Sequence, residues 1–160
     1  MKTILLSLFV SLSAFAGVVS PGASIVPNVT VAGVTIPLSR AIILHAKAGA
    51  TNYDTFRRNG AFYQVPTGKK LIVVAIRAFN DGTAANTCAR IGSSTATVAN
   101  GASPTGYAVL DIGGLDDGFF TNATNYEVRE AAIYAEFTAG QYINLNPTLA
   151  AAATLLGYEQ

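Results

Sequence analysis

The chain has 160 residues, of which 51% are hydrophobic; ten basic and nine acidic residues give a formal net charge of +1. That length predicts one ordinary domain besides any leader, and no basic cluster exceeds the pairs Arg57-Arg58 and Lys69-Lys70, which argues against nucleic acid and against an anionic membrane surface as partners. The single cysteine, Cys88, rules out an intrachain disulfide and reads as a buried inert thiol, with an interchain bridge as the alternative.

Lys2 precedes an uncharged run from Ile4 to Ala16 that closes on Ala14-Phe15-Ala16. A positive start, a short apolar run and a small-x-small ending predict a signal peptide over 1–16, cleaved between Ala16 and Gly17. The run falls short of the roughly 20 residues of a membrane span, so no membrane insertion is expected after signal removal. Export to the cell surface, the extracellular space or a periplasm follows as the expected location.

Residues 17–37 are charge-free and carry prolines at 21, 27 and 37. Within them Val29-Thr30-Val31 and Val34-Thr35-Ile36 flank Ala32-Gly33, two β-branched runs about a turn or bulge. We read this stretch as an extended arm whose Val29, Val31, Val34 and Ile36 are available to pair with the chain's own sheet or with a neighbouring copy. The rest, 38–160, reads as a single β-sandwich domain.

Ala41 to Ala46 is a short apolar run suited to a core strand, and the polar stretch from Lys47 to Asn59 reads mostly as loop. Ala61 to Val65 is a strand ending at the turn Pro66-Thr67-Gly68, and Leu71 to Phe79 is the strongest strand in the chain, closed by the hairpin signal Asn80-Asp81-Gly82. Thr87 to Ile91, Thr95 to Val98 and Tyr107 to Ile112 are further candidates. Tyr126 to Phe137 combines helix-favouring Glu and Ala with period-two alternation that slips near Glu130; it reads as a bulged strand, with a short helix as the alternative. Thr138-Ala139-Gly140 turns the chain into Gln141 to Leu145, and Thr154 to Glu159 closes it behind the alanine run 150–153. Eight to ten short strands with turns between them predict an all-β fold, an antiparallel β-sandwich or jelly roll with at most one short helix.

Three segments carry a resemblance: Phe62-Tyr63-Gln64-Val65-Pro66-Thr67-Gly68-Lys69-Lys70 leading into the strong strand, Phe137-Thr138-Ala139-Gly140-Gln141-Tyr142, and the terminal Leu156-Gly157-Tyr158-Glu159. They resemble turns and closing strands of small jelly-roll domains in secreted bacterial proteins and phage tail or fibre tips. The resemblance implies an extracellular β-sandwich, often trimeric, used in adhesion or attachment. It implies no catalytic residues.

Chemistry-bearing residues are sparse. His45 is the only histidine and lies in an apolar run, where a core or edge role is expected, and no serine stands in a nucleophile elbow. We therefore expect no enzyme and no cofactor. Asp111 with Asp116 and Asp117 offers oxygens of the kind Ca²⁺ accepts, but the same residues make an ordinary solvated turn and no metal is expected. Asp116, Asp117, Phe119, Phe120 and Tyr126 are the candidate ligand-binding residues, because a loop-borne aromatic pair either fills a core or binds something; Tyr53 and Tyr107 also lie near loops. Two sequons, at Asn28 and Asn122, would be glycosylated only in a eukaryotic secretory pathway. The expected function is a secreted, non-enzymatic module that self-associates and displays loops for attachment, with itself and surface glycans as partners. The alternatives are a carbohydrate-binding module and a filament or coat subunit joined by strand donation from the arm.

Overall fold

The structure, a computed structural model, describes residues 27–80, 89–109, 128–148 and 150–160. Every regular element among them is a strand. In chain order they are β1 (Asn28–Val31), β2 (Val34–Pro37), β3 (Ile42–Ala48), β4 (Asp54–Thr55), β5 (Arg57–Arg58), β6 (Ala61–Phe62), β7 (Lys70–Asn80), β8 (Ala89–Ser94), β9 (Ala108–Val109), β10 (Val128–Thr138), β11 (Tyr142–Pro147) and β12 (Ala151–Glu159).

Eight of these are wound in a nested order. β3 pairs with β12, β4 with β11, β7 with β10 and β8 with β9, all antiparallel. First meets last, second meets seventh, third meets sixth and fourth meets fifth: a strand ribbon rolled on itself, which is a jelly roll. Further pairing of β12 with β7 and of β11 with β8 closes two sheets, ordered β10-β7-β12-β3-β5-β6 and β4-β11-β8-β9.

The period-two pattern of β3 explains how the sheets meet. Ile42, Leu44, Ala46 and Ala48 are buried, while His45 and Lys47 between them are exposed. Leu71, Val73, Ile76 and Ala78 of β7, Ala135 and Phe137 of β10, and Ala153 and Leu155 of β12 complete that face. Ile91, Ile143 and Leu145 oppose them from the second sheet, and Phe56, Tyr63 and Val65 close one side. Alanines 151–153 are poor strand formers in isolation, yet they lie within β12. Ala153 sits in register between Ala46 and Ala78, so three small side chains share one tight row.

The inward residues of β7 change from odd to even between Val73 and Ile76, and a bulge accounts for it. Leu156 pairs with Ala75 but Gly157 with Val73, which leaves Val74 as an extra residue. Opposite the same point β10 steps from Ala132 to Ala135. The expected bulge in this segment therefore exists, at 132–135 rather than at Glu130, and the helix alternative is excluded. Gly157 makes the close approach possible: a Cβ there would lie 2.4 Å from the Ile72 carbonyl oxygen.

Other expectations need correcting. The stretch 47–59 holds β4 and β5 rather than a plain loop, and the strand over 61–65 shrinks to Ala61–Phe62 plus a bridge from Gln64 to Tyr142. Thr95 to Val98 is not a strand. Ser94 Oγ donates to the Ala96 carbonyl at 2.7 Å and the Val98 N–H is taken by Thr55 Oγ1 at 2.8 Å, so side-chain bonds, one local and one from a distant segment, replace a ladder. The described residues hold twelve strands, two of them eleven residues long, against the eight to ten short strands expected.

Candidate functional site

The four valine and isoleucine positions of the N-terminal arm form a hairpin, β1–β2, about Ala32-Gly33. Ile36 is buried against Ala75 and Leu156, and Val29, Val31 and Val34 pack around them on the outer face of the six-stranded sheet. Residues 28–37 thus form a hairpin of two extended segments packed on the chain's own body. The hairpin is tied by the Ala32 N–H, which donates to Glu130 Oε2 at 3.3 Å. Asn28, the first sequon, is exposed at the start of β1. Asp111, Asp116, Asp117, Phe119, Phe120, Asn122, Tyr126, Cys88 and the cleavage pair Ala16 and Gly17 all lie outside the described residues.

His45 stands on the exposed face of β3, with Nδ1 hydrogen-bonded to Thr154 Oγ1 at 2.9 Å. Its cross-strand neighbours are Arg57 and Thr154. Among the described residues no group of three His, Cys, Asp or Glu side chains converges on a point where a metal ion would fit.

The densest polar cluster escaped the sequence reading. Asp54, only 3% exposed, accepts from Arg57 Nη1 at 2.6 Å and Nη2 at 2.9 Å, a bidentate pair. It also accepts the backbone N–H of Lys47 at 3.0 Å and of Asn100 at 3.2 Å. The bond to Asp54 raises the Arg57 pKa, and the guanidinium lies 4.5 Å over the Phe62 ring. Asn100 continues the network, its Oδ1 accepting from the Gly49 N–H at 2.6 Å and from Asn52 Nδ2 at 3.2 Å. Lys47, Gly49, Asp54, Arg57 and Asn100 line a shallow open depression of about 370 Å³. Asp54 spends its acceptor sites on four donors of its own chain, so the cluster clamps β3, β4 and the loop before Gly101 together. The signal for it was Asp and Arg three residues apart in a stretch of low hydrophobicity, too common a spacing to single out.

A second network is fully buried. Thr55 Oγ1 donates to Asn144 Oδ1 at 2.7 Å, and Asn144 Nδ2 donates to Ser94 Oγ at 2.6 Å. Beside it Tyr53 and Tyr107 meet edge to face at 4.7 Å, and a Cβ on Gly92 would strike the Tyr107 ring at 2.5 Å. The two loop tyrosines are therefore a lid packed on the smaller sheet, not a flat exposed platform. Burial, reinforced by Tyr53, pushes the Tyr107 hydroxyl up to about 12, and that oxygen has no hydrogen-bond partner among the described residues.

Among the described residues, Leu38 after β2 is one exposed large apolar side chain, and the others lie at the sheet margins. Phe62 (41% exposed), Val109 (59%), Val128 (44%) and Tyr134 (66%) are the strand-borne large apolar side chains open to solvent. They lie on β6, β9 and β10, each an end strand in its sheet. The carboxylates on β10 are paired: Glu130 with Arg77, and Glu136 with Lys70, whose ammonium lowers the Glu136 pKa through a hydrogen bond. Comparisons with protein-family models, with curated proteins and with solved structures return no match.

Proposed function

We propose that the mature chain works outside the cell as a non-enzymatic structural module that assembles with copies of itself and leaves its loops for attachment. The observation that carries this reading is the placement of exposed apolar side chains on end strands. End strands offer unpaired backbone groups, and monomeric proteins guard them with charge. Here both carboxylates on β10 are paired with cations of β7, Glu130 with Arg77 and Glu136 with Lys70, while Tyr134 and Val128 face solvent. Phe62 on the opposite margin gives the six-stranded sheet an apolar contact at each end, an arrangement suited to head-to-tail joining of copies. The resemblance to attachment-type jelly rolls points the same way.

The test is sedimentation of the mature protein at micromolar concentration, beside the double variant Val128→Lys/Tyr134→Lys. The wild type should sediment as a discrete oligomer and the variant as a monomer with an unchanged far-ultraviolet spectrum. A monomeric wild type, or a variant that still assembles, removes the proposal.

A further inference from the structure

The sequence contains two Asn-Gly dipeptides, Asn59-Gly60 and Asn100-Gly101. In such a pair the glycine nitrogen meets little steric hindrance on its way to the asparagine side chain. It attacks Cγ, the N–Cγ bond forms, the bond from Cγ to Nδ2 breaks, and ammonia leaves carrying the glycine amide proton. Water then opens the succinimide ring at either carbonyl, giving aspartate or isoaspartate. The two dipeptides are chemically alike, and their surroundings are opposite.

Asn100 is held at its side-chain oxygen and at the nitrogen that would attack it. Its Oδ1 accepts the Gly49 N–H at 2.6 Å and Asn52 Nδ2 at 3.2 Å, and the attacking nitrogen, Gly101 N, donates to the Tyr53 carbonyl at 3.0 Å. Asn59 has no such restraint. It lies at the exposed tip between β5 and β6, and nothing among the described residues hydrogen-bonds its side-chain amide. Its φ of 51° and the 84° of Gly60 mark a two-residue hairpin turn in which both residues are left-handed. The hairpin it closes has two residues per strand at the margin of the six-stranded sheet, so local opening costs little.

We infer that Asn59 is a site of spontaneous deamidation in the folded protein and that Asn100 is protected from it. Three hydrogen bonds must be given up at Asn100, each worth roughly a factor of five, so Asn100 reacts about a hundredfold more slowly than Asn59. The product has a structural consequence. Isoaspartate adds a backbone carbon to a two-residue turn, so the pairing of Arg57 with Phe62 and of Arg58 with Ala61 cannot persist. It also sets a carboxylate beside Arg58 and unseats Phe62 from the Arg57 guanidinium.

The experiment is incubation of the folded protein at mildly alkaline pH. Peptide mapping follows the change from amide to acid, and isoaspartyl methyltransferase labelling identifies the isoaspartate. Product is expected in the peptide spanning 59–60, about a hundredfold ahead of the peptide spanning 100–101. In denaturant the two rates should converge. Asn59→Gly, which keeps the left-handed turn, should abolish product in the first peptide, and Asn52→Ala should speed the second by roughly fivefold. Equal rates in the folded protein, faster reaction at Asn100, or a native Asn59 that stays intact while the denatured chain reacts would overturn the inference.

Discussion

Replacing Asp54 by alanine is the sharpest probe of how this fold is held. The carboxylate is buried and receives four hydrogen bonds, two from one guanidinium and two from backbone N–H groups in segments that are 53 residues apart, at Lys47 and Asn100. Breaking a buried ion pair costs about 3–5 kcal/mol. The Arg57 side chain is 28% exposed and the depression beside it is open, so water will rehydrate the guanidinium and the freed N–H groups. That places Asp54→Ala near the lower end, about 3 kcal/mol, a large share of the roughly 5–15 kcal/mol that holds a domain together. The assay is urea unfolding, in which the midpoint should fall with an unchanged slope, and the melting temperature should drop by about 10 °C. Arg57→Ala and the double variant complete a cycle whose coupling energy should exceed about 1 kcal/mol. A loss below about 1 kcal/mol for Asp54→Ala would refute the view that this carboxylate clamps β3, β4 and the Asn100 loop.

Gly157→Ala should destabilise by about 2–3 kcal/mol or more, because its Cβ would stand 2.4 Å from the Ile72 carbonyl oxygen at the bulge; thermal melting within 2 °C or so of wild type would count against that contact. Tyrosinate absorbance should show Tyr63 and Tyr107 titrating late. Burial raises both, with Glu159 adding to the effect on Tyr63, which donates to its Oε1 at 2.9 Å. Since the folded-state pKa lies above the unfolded one, their stabilisation is intact below pH 10 and is lost as pH rises, for Tyr107 through about 12. Unfolding midpoints that do not decline across that window would contradict the burial of these hydroxyls.

Much of the architecture was legible because it is local. The run from Leu71 to Phe79 is too apolar and β-branched for anything but a buried strand, and β7 spans it with one residue to spare at either end. Pro66-Thr67-Gly68 and Thr138-Ala139-Gly140 are turns, closed by the Lys69 N–H on the Pro66 carbonyl and the Gln141 N–H on the Thr138 carbonyl. Val29 to Ile36 pairs about Ala32-Gly33 as its pattern suggests. The segment 47–59 reads as loop because its strands are two residues long and owe their form to distant partners, Thr55 to Asn144 and Arg57 to His45. The one local signal there is Asn59-Gly60, the dipeptide that two-residue hairpins favour. The candidate site was less legible still. Asp54, Asn100 and Asn144 are ordinary polar residues in sequence, and only their burial and their partners give them weight.

Alternation and turn chemistry, written along the chain, determined that it forms antiparallel strands and which side chains of each strand share a face. They did so because a period of two and the backbone needs of a turn depend only on near neighbours. Which strand lies beside which, where β7 absorbs Val74, and why Thr55 is bonded to a residue 89 positions away were decided by the tertiary structure. Those choices rest on packing two faces together while pairing buried polar groups such as Asp54 and Asn144, conditions that no single segment carries.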